Sequence, residues 1–171
     1  MGKSRQKIKC GVNMINTDIK GNIKIRKEFE QIVQNSNVLH SYLFLGEDGI
    51  GKKEIAKEFA KQILCLNKAE NCTCKSCICF DTENHPDFTI INEEGETIKI
   101  NTIREMISTV YEKPILSSKK IYIINDCDKM TKEAQNSLLK TLEEPPEYIV
   151  IILISSNSDM LLNTIKSRCT K

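Results

Sequence analysis

SYLFLGEDGIGKKEIAKEF, residues 41–59, decides the fold. A short apolar run leads straight into a loop with glycines at 46, 49 and 51. The loop opens a segment whose Ile55, Phe59 and Ile63 fall on one helical stripe. Strand, glycine loop and helix in that order give meaning to the pattern G-x-x-x-x-G-K-[ST]. Its backbone amides converge on phosphate oxygens at a helix N-terminus, and its lysine reaches the β and γ phosphates. Gly46, Gly51 and Lys52 meet the pattern, and Gly49 lies inside the loop. The next position calls for a hydroxyl that ligates magnesium, and here it is Lys53. An ammonium stands in for part of the ion's charge but has no lone pair with which to hold it.

Outward from this loop, helix and strand patterns alternate. Residues 23–34 carry Ile25, Phe29 and Ile32-Val33 at helical spacing, and DFTIIN (87–92) has β character. A short run TIKI (97–100) follows, and Asn101 is placed to cap a helix carrying Ile103, Met106, Ile107 and Val110. Residues 120–125 read as a buried strand, and Thr131 as the cap of a helix ended by Pro145-Pro146. YIVIILI (148–154) is uninterrupted apolar sequence, as in a central parallel strand covered on both faces. A last short helix is expected over about 160–167. The pattern predicts an α/β fold of the P-loop NTPase kind: three layers, αβα, around a parallel sheet.

The bulk numbers agree with one ordinary domain. The chain has 171 residues, 40% apolar and 28% charged, with a net charge of +2 that points neither to nor away from nucleic acid. No run approaches the ~20 apolar residues of a membrane span, and residues 1–13 read as a basic, polar tail rather than a secretion signal. Five of the eight cysteines fall between Cys65 and Cys79, which suggests a metal site in a reducing compartment rather than a disulfide scaffold. Their spacing gives one standard zinc knuckle, Cys74-x2-Cys77. The expected structural zinc site is Cys65, Cys72, Cys74 and Cys77, with Cys79 as an alternate ligand, Cys65 coming from a helix end and the others from a loop. His40 and His85 read as structural residues.

A second nucleotide element should be an apolar strand ending in acidic residues. KIYIINDCDKM (120–130) supplies the strand, but Asn125 stands where a metal-organising carboxylate is expected. Asp126 follows at the water-activating position, one methylene shorter than a glutamate.

Taken together, HSYLFLGEDGIGKKEIAKEFAK, the cysteine cluster followed by NHPDF, KIYIINDCDKMTKEAQNSLLKTLEEPP, and TIKSRC resemble the clamp-loader branch of the AAA+ proteins, most closely the delta-prime family of bacterial DNA polymerase III subunits. The resemblance covers about residues 20–169. It implies a replicative role in the bacterial cytoplasm, with gamma/tau and delta subunits as partners and the sliding clamp and primed DNA reached through the complex. It also implies that Arg168, in Ser167-Arg168-Cys169, is presented in trans to a neighbour's ATP, that Ser156 falls near a sensor position, and that Lys140 lies on the helix coupling DNA contact to the nucleotide site. The motor subunits keep a hydroxyl in the loop and an Asp-Glu pair after the strand. Lys53 and Asn125-Asp126 therefore fit a stator with weak or absent ATP binding and no ATPase activity of its own. Two other readings stay open: a motor-type ATPase using Lys52 and Asp126, and a zinc-stabilised interaction domain without a nucleotide role. The cysteine spacing departs from the family's at Cys72 and in the extra Cys79. Residues 14–171 correspond to the AAA+ core, without the helical lid and collar that follow in family members.

Overall fold

A computed structural model describes residues 23–69, 71–92 and 94–170; the tail expected over residues 1–13 lies outside them. Its sheet has four parallel strands in the order β1-β4-β3-β2: β1 Ser41–Leu45, β2 Phe88–Ile91, β3 Lys120–Ile124 and β4 Ile149–Ser155. Strict alternation along β3 and β4 sends successive side chains to opposite faces. Tyr122, Ile124, Ile149, Ile151 and Leu153 join the core under helices α4 (Ile100–Val110) and α5 (Lys132–Glu143). Ile121, Ile123, Val150, Ile152 and Ile154 join a second core under α1 (Ile23–Gln34) and α2 (Lys52–Leu64). Covering both faces is what makes these strands continuously apolar.

On the α1/α2 face, Phe29 stacks on Phe59 at 4.1 Å between ring centroids, and Tyr42 meets Phe59 edge-on at 5.1 Å. Buried Arg26 pairs with Glu58 at 3.2 Å and ties α1 to α2. On the other face, Ile103, Met106 and Val110 of α4 pack with Ala134, Leu138 and Leu142 of α5. The helix after β1 thus lies on one face, while those after β2 and β3 lie on the other. That switch opens a crevice at the carboxyl ends of the strands, the usual ligand position in open α/β sheets.

Three local expectations need correction. The helix predicted to be capped by Asn101 begins two residues earlier, at Ile100, with Lys99 at the cap position and no side-chain cap. TIKI makes only a single parallel bridge, Ile98 to Met130, because Ile100 is already helical. The last helix does not run from 160 to 167. It is α6, Asn163–Lys166, preceded by a tight turn at Ser158–Met160. The reason is Gln135, buried on α5, whose amide donates to Met130 O and Met160 O and accepts from Leu162 N. This clamp holds Leu161 extended, so helix starts only beyond it. Thr131 caps α5 as expected, accepting from Ala134 N at 3.2 Å.

Candidate functional site

The glycine loop, residues 46–51, spans the end of β1 and the start of α2 at that crevice. Gly49 (φ 79°) and Gly51 (φ 84°) adopt the left-handed conformation that side chains resist. Gly51 occupies the cap position of α2 and brings no side-chain acceptor, so the first-turn amides keep their donor capacity toward the crevice. Beside them is a cavity of about 560 Å³, lined by residues 48–54 of the loop and helix, by Asn125 and Asp126 past β3, and by Ile154 of β4. The fold thus brings the loop and the degenerate acidic turn to one cavity. Lys52 Nζ folds back over the loop, donating to Gly46 O at 2.8 Å and Glu47 O at 2.6 Å, with Asp48 at 3.8 Å.

The two residues after β3 are also held structurally. Asn125 Nδ2 donates to Asn92 O at 3.2 Å while Asn92 Nδ2 donates to Asn125 O at 3.3 Å, a reciprocal clasp between the ends of β2 and β3. Asp126 takes a left-handed backbone (φ 48°), and its Oδ2 lies 3.1 Å from Lys129 Nζ, which also donates to Gly95 O. Ser156 is exposed beyond β4; its N–H donates to Asp128 Oδ1 at 3.3 Å, and it does not line the cavity.

Cys65 ends α2, Cys74 occupies the cap position of helix α3 (Lys75–Asp81), Cys77 lies in its first turn, and Cys72 approaches from the preceding loop. A helix thus carries part of what read as a loop. The four sulfurs lie within 4.8 Å of one another. A tetrahedron of Zn–S bonds would need edges of roughly 3.8 Å. The group could hold a metal ion, and Cys79 is not part of it. Burial opposes ionisation of the Cys74 thiol. The N–H groups of Cys77 and Leu66 and the neighbouring thiols outweigh it and bring Cys74 down to about 6. Burial pushes the Cys77 thiol up.

A polar network welds this module to the core. Ser76 Oγ and Ser117 Oγ both donate to Leu64 O, at 2.7 and 2.9 Å. His85 Nδ1 accepts from Asp87 N at 3.1 Å, so its Nε2 carries the hydrogen toward Ser76 Oγ at 2.8 Å. The fully buried Asp87 carboxylate accepts from Ile115 N (2.6 Å), Leu116 N (2.7 Å) and Ser117 N (2.8 Å). Sequence reasoning had not assigned a role to Asp87; the signal was there in NHPDF, an acid placed directly before an apolar strand.

Arg168 lies beyond α6, apart from the residues lining the cavity. Its guanidinium donates to Thr164 O at 2.7 Å and pairs with Glu143 at the end of α5. Its carbonyl accepts from Ser41 Oγ at 2.7 Å. Lys140 is exposed on α5.

Residues 21–171 match the family described as DNA polymerase III, delta subunit. The chain belongs to that family. Among its relatives, the delta' subunit of DNA polymerase III from Bacillus subtilis is 37% identical over 148 residues, covering 85% of this chain and 45% of the relative. The delta' subunit from Pseudomonas aeruginosa is 36% identical over 137 residues, covering 77% and 42%. A DNA polymerase III gamma subunit-related protein of Thermotoga maritima superposes with a TM-score of 0.63 at 32% identity, over 84% of this chain and 43% of that one. The Holliday junction branch migration motor RuvB of the same organism, at TM-score 0.51 and 13% identity over 86% of this chain and 43% of its own, shares the AAA+ fold alone. The chain spans a little under half the length of these delta' relatives. Among the described residues no helix is long and apolar enough to cross a membrane.

Proposed function

We propose that this chain is the AAA+ core of a clamp-loader stator in DNA replication, which presents Arg168 to the ATP of a neighbouring gamma/tau-type subunit. The loader would also contain a delta subunit, and it would meet the sliding clamp and primed DNA as a complex. One observation carries the reading. Arg168 lies outside the chain's own cavity on a surface ion pair, while that cavity lacks a hydroxyl at residue 53 and a carboxylate at residue 125. Exposed pairs such as Arg168–Glu143 contribute about 0–1 kcal/mol, so the guanidinium leaves Glu143 readily for a phosphate, which it binds through two parallel N–H donors.

Zinc fits the Cys65, Cys72, Cys74 and Cys77 sulfurs, and four protein ligands leave no position for substrate, so its role would be structural. The test is a loader assembled from the full-length protein and its partner subunits. Arg168→Ala should leave assembly intact and lower DNA-stimulated ATP turnover about tenfold or more, given the 10³–10⁵-fold worth of arginine fingers at single sites. Unchanged turnover would refute the stator role. Loss on Lys52→Ala with no loss on Arg168→Ala would favour a motor role for this subunit.

A further inference from the structure

Lys53 and Asn125 line the same cavity, one from the second residue of α2 and the other from the turn after β3. In the P-loop pattern these two positions are the metal's handles, a hydroxyl and a carboxylate. Here one is an ammonium and the other an amide already engaged with Asn92 O. The two changes balance electrically. A divalent ion's two positive charges less one carboxylate's negative charge equal the single positive charge of Lys53. These two positions together therefore carry the formal charge of a magnesium-loaded pair without any magnesium.

The remaining acidic group on the β3 side does not restore a metal position. Asp126 is engaged with the ammonium of Lys129. The phosphate-binding side is intact, since both left-handed glycines are in place, the α2 amides carry no side-chain cap, and Lys52 Nζ needs only to exchange two loop carbonyls for phosphate oxygens. A magnesium ion arriving on the β and γ oxygens would meet the like charge of Lys53 and find neither handle.

From these residues we infer that the cavity selects a nucleoside di- or triphosphate without its metal, with the Lys53 ammonium occupying the position of the ion. This rests on reading the loop as a phosphate site and is independent of the role of Arg168. Magnesium then acts as a competitor, because it sequesters the oxygens that Lys53 requires. A nucleotide held this way is retained rather than hydrolysed, since neither Lys53 nor Asn125 can hold the metal that positions a phosphate for attack.

The experiment is calorimetric titration of the reduced chain with ATP, once in magnesium-free buffer and once with excess magnesium. Chelator is omitted so that a cysteine-bound metal is not stripped. Binding should be about tenfold or more tighter without magnesium, the effect of one like-charge contact worth at least ~1.4 kcal/mol. Lys53→Met should weaken metal-free binding about tenfold, while Lys53→Arg keeps it. The double substitution Lys53→Thr with Asn125→Asp should reverse the preference toward magnesium-ATP, with far-UV circular dichroism and melting unchanged by Lys53→Met as the control for folding. Tighter binding with magnesium in the unaltered chain would overturn the inference. Absence of binding in both buffers would also overturn it, and would leave the Arg168 reading to stand or fall on loader turnover.

Discussion

Asp87→Asn removes a charge that nothing outside the molecule replaces. The carboxylate is fully buried and accepts three consecutive backbone N–H groups, from Ile115, Leu116 and Ser117. An asparagine keeps one oxygen, best placed at Oδ2 to serve Leu116 and Ser117, and turns its NH2 toward the N–H of Ile115. One charge-assisted bond is lost, at about 1.5–3 kcal/mol, and the other two fall to the ~1 kcal/mol of neutral bonds. The expected cost is about 3–5 kcal/mol, a large share of the ~5–15 kcal/mol that stabilises an ordinary domain. With a urea slope of about 2 kcal/mol/M, the unfolding midpoint should fall by roughly 2 M. Amide exchange at residues 115–117 should accelerate more than exchange in β4, because the loop loses its anchor before the sheet loses its core. A midpoint shift under about 0.5 M at unchanged slope would refute the reasoning, since it would mean that water or another group satisfies those amides at little cost.

Two further outcomes follow from the cysteine module. Replacing Cys65, Cys72, Cys74 or Cys77 by serine should each abolish stoichiometric zinc in the purified protein, while Cys79→Ser leaves it, as read by elemental analysis and by a fall in melting temperature on chelation. His85 gives a pH signature. Burial lowers its pKa below the usual 6.5, only partly opposed by Asp87, so the unfolded chain binds the proton more readily than the folded one. Stability should therefore be complete above pH 6.5 and decline as the pH falls below it. Urea midpoints at about pH 7.5 and 5.5 should differ more in the unaltered protein than in His85→Gln, and equal differences would remove His85 from the account.

The sheet and its helices were legible because their signals are local and repeated. The apolar run at 148–154 and the strand–glycine–helix order at 41–59 admit few alternatives. The cavity was legible in part: Lys53, Asn125 and Asp126 are conspicuous as departures from a pattern, and the parallel topology places the turn after β3 beside the loop. What stayed hidden depends on contacts between distant residues. No periodicity reveals that Gln135 will hold residues 160–162 out of the helical conformation, or that Asn125 will clasp Asn92. The run 97–100 has the composition of a strand, yet among the described residues it makes one bridge, Ile98 to Met130. Tertiary context overrode propensity at each of these places.

One pairing at the sheet edge gains weight from its position. Thr170 forms a parallel bridge with β1, its O accepting from Leu43 N and its N donating to Ser41 O, while Ser41 Oγ reaches Arg168 O. β1 is also the strand that ends in the glycine loop. The loop and the arginine are thus fastened to the two ends of one five-residue rod, which is buried along most of its length and hydrogen-bonded to β4 on its other side. Because this rod is hydrogen-bonded along both sides, it sets the spacing between the glycine loop and the Arg168 backbone, so the chain's own phosphate loop and the arginine proposed for a neighbour's site share one support.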